Sequence, residues 1–213
     1  MRIPTPVTAF AASSAFFATT ALSGAALADQ SETHDGLFLR LAGGIGGIST
    51  SAESGPVTAT LSGGGIPLDF AIGGAVARNF ALHADFYGTA AVAPKLSINN
   101  SDVGKASENT TLYGSGVGLG ATFYTMPLNL YFSGSVGVAR YGLKYDNGSQ
   151  TSSGTTKAGL GVNLLVGKEW WVSDNWGLGV AGNVTIISAK DSDNSDVRWT
   201  GASAGVLLSA TYN

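Results

Sequence analysis

Five ionisable side chains, Arg40, Asp69, His83, Asp85 and Glu169, sit in stretches that otherwise alternate apolar residues with Gly, Ala, Ser, Thr and Asn. His83 and Asp85 are two apart and, with a serine from elsewhere, suggest a hydrolytic triad. A triad needs a hydrogen-bonded nucleophile and base, and a third group that orients the base. No local signature supplies either. Asp191-Ser192-Asp193-Asn194-Ser195-Asp196 alternates oxygen ligands as a calcium loop does, but lacks the Gly at the sixth position and the distal Glu. The glycines at Gly43–Gly47 and Gly114–Gly120 match neither dinucleotide nor P-loop spacing. The chain has no cysteine, so thiolate metal sites and thiol nucleophiles are excluded. Neither a metal nor a cofactor is implied.

The segments that carry these residues alternate with a period of two, the pattern of strands with two unlike faces. From Ala158 to Ile187 two such strands meet at Ser173-Asp174-Asn175, with Trp170, Trp171 and Trp176 at the corner. The other expected strands are Leu37–Ile48, Ile66–Ala77, Phe80–Val92, Thr110–Thr125, Leu128–Leu143 and Val197–Tyr212. Long polar loops are expected at Ser49–Gly65, Pro94–Asn109, Tyr145–Thr155 and Lys190–Asp196. Short corners fall at Arg78-Asn79, Met126-Pro127 and Ser173–Asn175. Eight strands whose connections alternate long and short fit an outer-membrane barrel, with short periplasmic turns and longer extracellular loops.

Composition separates this reading from a soluble eight-stranded barrel. Charged residues make up 12 % of the chain, against roughly 25 % in ordinary soluble domains. The less apolar face carries mainly Gly, Ala, Ser, Thr and Asn, too neutral for a solvated exterior and small enough for a narrow lumen. The apolar face then meets lipid. Arg2, the apolar run Val7–Leu27 and Ala26-Leu27-Ala28 read as a signal peptide, residues 1–28. A short periplasmic lead (29–36) and the barrel (37–213) follow. The fold class is all-β, an eight-stranded antiparallel up-and-down transmembrane β-barrel. The location is the outer membrane of a diderm (Gram-negative) bacterium after Sec export and signal cleavage. A formal net charge of −3 gives no basic patch for nucleic acid.

On the corner Gly-Lys-Glu-Trp-Trp-Val-Ser-Asp-Asn-Trp-Gly-Leu-Gly (167–179) and the final strand Ser203–Tyr212, the chain resembles small outer-membrane β-barrels of the OmpA and OmpW type. The final strand is similar to the signal read by the barrel-assembly machinery, which the resemblance makes a partner. It departs from the usual form in ending Tyr212-Asn213. The two-domain OmpA arrangement is not expected. Two readings follow: a structural or surface-interaction barrel, or a narrow small-molecule channel. The alternative is a barrel-embedded enzyme of lipid A hydrolase type; a non-enzyme is expected.

Each candidate site has a functional and a plainer reading. Arg40, Asp85 and Glu169 are expected to form a charge cluster that gates or simply plugs the lumen. Gly114, Gly116, Gly118 and Gly120 leave one lumen wall without side chains, either for strand coiling or for a recess that admits a small apolar ligand. Arg140, Lys144 and Arg198 lie on the lipid-facing parity at strand ends, placed for lipopolysaccharide phosphates or for snorkelling. Trp170, Trp171, Trp176 and Tyr212 are expected as interfacial aromatics.

Overall fold

The computed structural model describes residues 34–213. The expected signal peptide and residues 29–33 of the lead lie outside the described residues. Those described form eleven β-strands: β1 (Leu37–Ser54), β2 (Val57–Ala77), β3 (Phe80–Val92), β4 (Lys95–Ile98), β5 (Ser101–Lys105), β6 (Thr110–Thr125), β7 (Leu130–Asp146), β8 (Thr151–Thr155), β9 (Gly159–Ser173), β10 (Trp176–Lys190) and β11 (Arg198–Tyr212). Eight of them close a ring in the order β1-β2-β3-β6-β7-β9-β10-β11, and every pairing is antiparallel. The ring shuts where β11 returns to β1, in register from Leu39↔Tyr212 to Glu53↔Arg198. Closure leaves no edge, so every wall strand satisfies its backbone on both sides, as hydrocarbon requires.

Alternation decides which side chains meet lipid. Along β10 the exposed and buried positions alternate with almost no interruption. Trp176, Leu178, Val180, Val184 and Ile186 face out, and Ala181, Asn183, Thr185 and Ile187 face in. Ile45, Leu119 and Leu208 are 78 %, 75 % and 70 % exposed. Apolar side chains this bare form a continuous belt, which only a bilayer can cover. On β10 the belt runs from Trp176 to Ile186, roughly 25 Å of height at the usual strand tilt, which matches a bilayer core. The barrel is a transmembrane one.

Three of the expected loops are largely strand. Ser49–Gly65 is not a loop: β1 and β2 run through it and turn at Gly55-Pro56, where Gly55 takes φ +58°. Pro94–Asn109 holds the β4–β5 hairpin, whose β4 pairs with β2 through Ala59↔Ile98 to Ser62↔Lys95. In Tyr145–Thr155, β8 folds back on β7. The Ser, Thr and Gly content that suggested loops reflects a wall that continues past the apolar belt. From Ser51 and Thr60 towards the loops the outward face meets water, and no apolar residues are needed to hold the ladder.

The lumen is packed in three layers. At the turn end lies an apolar cluster of Phe38, Ala71, Ala81, Tyr124, Tyr131, Leu165 and Ala181. At the loop end lies a second, with Ile48, Leu61, Tyr87, Leu112, Tyr141 and Ile187, against which Leu143 and Trp199 pack. Hydrogen-bonded polar residues fill the space between.

Candidate functional site: the closed lumen and its two mouths

Arg40 on β1 lies at the heart of the polar layer and is fully buried. Its Nη2 approaches Asp69 Oδ1 at 3.2 Å, and Nε donates to the same oxygen at 3.3 Å. Nη1 donates to Thr122 Oγ1 at 3.3 Å and Nη2 to Ser133 Oγ at 3.1 Å. The guanidinium carbon lies 5.4 Å from the Tyr131 ring and 5.7 Å from the Phe38 ring, so aromatic faces take up its remaining charge. Asp69 is the neighbour that β1–β2 pairing brings beside it, since Ala42 opposes Asp69 and Arg40 opposes Ala71.

Asn163 on β9 joins the carboxylates. Its Nδ2 donates to Asp69 Oδ2 at 2.8 Å and to Asp85 Oδ2 at 3.1 Å. Its Oδ1 accepts from Asn183 Nδ2 and Thr185 Oγ1, both at 2.8 Å. Ser135 also donates to Asp85. The expected cluster of Arg40, Asp85 and Glu169 is therefore corrected in its pairing. All three are buried on the lumen side, but the ion partner of Arg40 is Asp69. Glu169 accepts instead from Thr211 Oγ1 at 2.5 Å. Alternation places charges on a face; the reach of each side chain across the ring decides which of them meet.

Sequence reasoning missed the plug at the turn end. His34, in the lead, is 1 % exposed and stacks on Tyr124 with ring centroids 3.4 Å apart. Its Nε2 lies 2.8 Å from Asn129 Oδ1. The backbone fastens it as well: Asn79 N donates to His34 O at 3.1 Å, and His34 N donates to Asn79 Oδ1 at 3.2 Å. Burial holds the His34 imidazole below its ordinary pKa, partly offset by hydrogen bonding to Asn129. The lead is thus part of the closure as well as a tether. Its sequence signal was a lone histidine just before the first strand, which no periodicity covers.

Trp171 belongs to this plug. It was expected among the interfacial aromatics, but its parity is that of Glu169, and its ring lies 4.8 Å from His34. Trp170, Trp176 and Tyr212 take the outward parity, with Trp176 and Tyr212 edge to face at 5.4 Å. Lys168 Nζ lies 5.6 Å from the Trp170 ring. The bulge between Trp176 and Gly177 marks the corner.

Gly114, Gly116, Gly118 and Gly120 line the lumen side of β6, but no recess stands over them. A Cβ on Gly116 would lie 2.6 Å from the Tyr87 ring, and one on Gly114 would lie 3.1 Å from both Ile187 and Tyr141. On Gly120 it would meet His83 at 2.7 Å, and on Gly118 the Val136 carbonyl at 2.6 Å. Tyr87 also reaches across the bore, its Oη 2.2 Å from where a Gly161 Cβ would be. The glycines make room for Tyr87, His83 and Tyr141, their register partners on the neighbouring strands β3 and β7, for Ile187 from across the lumen, and for close backbone approach.

The opening into the lumen lies instead at the loop end. A cavity of about 160 Å³ is lined by Leu61, Leu112, Tyr141, Leu143 and Trp199, with Thr156 and Asp191 at its rim. Trp199 Nε1 donates to Asp191 Oδ2 at 2.9 Å. That bond, with the backbone N–H groups of Asn194 and Asp193, holds the Asp191 carboxyl below its ordinary range. These contacts also show where the oxygens of the Asp191–Asp196 loop point: they cap their own turn.

Arg140, Lys144 and Arg198 all lie on the outward parity but not in one patch. Arg140 and Lys144 share β7, whereas Arg198 lies on β11, three strands away around the ring. Lys144 pairs with Asp146 at 3.1 Å, and Arg198 donates to Ser188 Oγ at 3.1 Å.

The fold defines the class: a small transmembrane β-barrel with a filled bore. No family model and no curated protein matches the chain. Among solved structures it is similar to Neisserial surface protein A, at 16 % identity and a TM-score of 0.46 over 82 % of this chain and 99 % of the other. It is also similar to the outer membrane protein OprG from Pseudomonas aeruginosa, at 14 % and 0.46 over 85 % and 97 %. A third is the outer membrane protease OmpT from Escherichia coli, at 10 % and 0.42 over 84 % and 96 %. No role is carried over from any of them.

Proposed function

We propose that this chain is a non-conducting outer-membrane barrel that acts at its loop end as a structural or surface-interaction protein. One observation carries the reading: side chains at every level of the bore are shut off from solvent. Tyr124, Tyr131 and Phe38 at the turn end, Arg40 and Asn163 in the middle, and Leu112 towards the loops are each at most 1 % exposed. Eight strands leave a bore that side chains can fill, and here they do.

The same closure supports a non-enzyme. His83 Nε2 lies 3.0 Å from Thr122 Oγ1 and 3.5 Å from Ser133 Oγ, the nearest approach to a hydroxyl–imidazole pair. Both hydroxyls are committed to Arg40, and no substrate could reach them without opening the barrel. The signal peptide, the periplasmic placement of the turn end and docking of the Ser203–Tyr212 strand on the assembly machinery complete the proposal.

Recording from the refolded protein in planar bilayers tests it. The wild type is expected to be silent; stable unitary currents would overturn the reading. The loop-end cavity favours a second role, holding a small apolar molecule against Trp199. Titrating an apolar probe such as 1-octanol while following tryptophan emission checks this, with Trp199→Phe as the control that should lose the response.

A further inference from the structure

The lipid-facing wall loses its bulk at one height. Gly47 and Ser49 on β1, Ser62 and Gly64 on β2, and Ala202 and Ala204 on β11 lie in adjoining rows, because Gly47 opposes both Gly64 and Ala204 while Ser49 opposes both Ser62 and Ala202. Together they floor an open groove of about 760 Å³. Its height is that of the bilayer interface. Towards the turn end the same rows carry Ile45, Ile66 and Val206; towards the loops they carry Ser51, Thr60 and Thr200.

The groove has a charged rim. The β4–β5 hairpin pairs with β2 beside the groove, with Lys95 opposite Ser62, and contributes Lys95 and Lys105 to the lining. These two are register partners, directly opposite on adjacent strands. Like charges in that position repel, yet neither ammonium has a carboxylate or hydrogen-bond acceptor among the described residues. An unpaired pair of cations beside a trough in a lipid-facing wall calls for one occupant chemistry: hydrocarbon in the trough and anionic oxygen at its charged side.

We propose that this groove binds an anionic lipid, with an acyl chain against the bare backbone of Gly47 and Gly64 and headgroup phosphate between Lys95 and Lys105. Lysine suits the role, since phosphate needs only a point charge that can swing to meet it. The screening that weakens surface pairs in water is reduced at the edge of hydrocarbon. A face of small residues could also pack against a second copy of the barrel. A two-fold dimer there would, however, bring four ammonium groups together, so the charge disfavours it.

Native mass spectrometry of the refolded barrel in detergent, titrated with bisphosphorylated lipid A, tests the proposal. Saturable binding and a raised melting temperature are expected, with neither produced by phosphatidylcholine or inorganic phosphate. Lys95→Gln with Lys105→Gln should weaken binding roughly tenfold or more. Both side chains are exposed, so folding should persist, as the heat-dependent gel shift would show. Gly64→Leu should block the acyl chain, because a side chain there enters open space, with only Gly46 O as near as 4.0 Å. Equal binding by wild type and both variants would overturn the site, as would equal response to phosphatidylcholine or to free phosphate. A lipid-independent dimer abolished by Gly64→Leu would overturn it in favour of a second copy.

Discussion

Arg40 and Asp69 meet at 3.2 Å on neighbouring strands with neither side chain reaching solvent. A buried pair of this kind adds little over a well-packed apolar pair, but breaking it is costly, because the survivor is stranded in low dielectric. Asp69→Ala leaves a guanidinium with only hydroxyls and ring faces. The expected loss is about 3–5 kcal/mol, read from urea unfolding in vesicles. Glu169→Ala, which removes no direct partner of Arg40, should cost about 1–3 kcal/mol. Equal losses at the two positions would show that the network acts as one unit and that the named pairing does not dominate.

Leu164 and Val180 face outward near the middle of the apolar belt, each with two-fifths or more of its surface bare. Arginine at either position should destabilise the barrel by about 2–4 kcal/mol. Insertion efficiency into vesicles and unfolding midpoints measure this. Folding of Leu164→Arg as well as the parent would reverse the assignment of faces.

The His34 plug should respond to pH. Burial depresses its pKa in the docked state, and the Tyr124, Trp171 and Asn129 side chains around it offer no negative charge, while neighbouring Asp35 favours the cation. At pH above the ordinary histidine value, about 6.5, docked and undocked states are both neutral and docking is at full strength. As pH falls below that value, the undocked imidazole takes up a proton that the docked one resists. Docking then weakens. The hydrogen-exchange protection factor of the Asn79 amide, which donates to His34 O, taken relative to its base-catalysed intrinsic rate at each pH, should fall between pH 7.5 and 5.0. His34→Gln should flatten this dependence. An unchanged profile in that variant would assign the effect elsewhere.

Topology is open to labelling in intact cells. Cysteines at Ser101, Ser152 and Ser192 should react with an impermeant reagent, and those at Asn79 and Asp174 should not. Ser62 is unsuitable as a loop probe, because it floors the lipid-facing groove. Labelling of Asp174 without Ser192 would invert the barrel in the membrane.

Period two placed Arg40, Asp69, His83, Asp85 and Glu169 on the less apolar face of their strands, because successive side chains of a strand must point to opposite faces whatever they pack against, and composition turned that face inward. The same geometry, with low charge and bare apolar rows, carried the eight wall strands and their closure into a barrel. Strand length was less legible. Ser49–Gly65 looked like loop because its residues are small and polar, whereas a ladder at and beyond the bilayer interface needs no apolar signal. Partners across the bore were not legible at all. That Asp69, and not Asp85 or Glu169, meets Arg40 depends on the register of β1 with β2 and on side-chain reach around a closed ring. That Tyr87 covers Gly116 depends on the register of β3 with β6, and that it reaches Gly161 depends on β3 and β9 facing one another across a narrow lumen. His34 lay outside any period, and only the folded turn end supplied the stacked Tyr124 and the Asn129 oxygen that hold it.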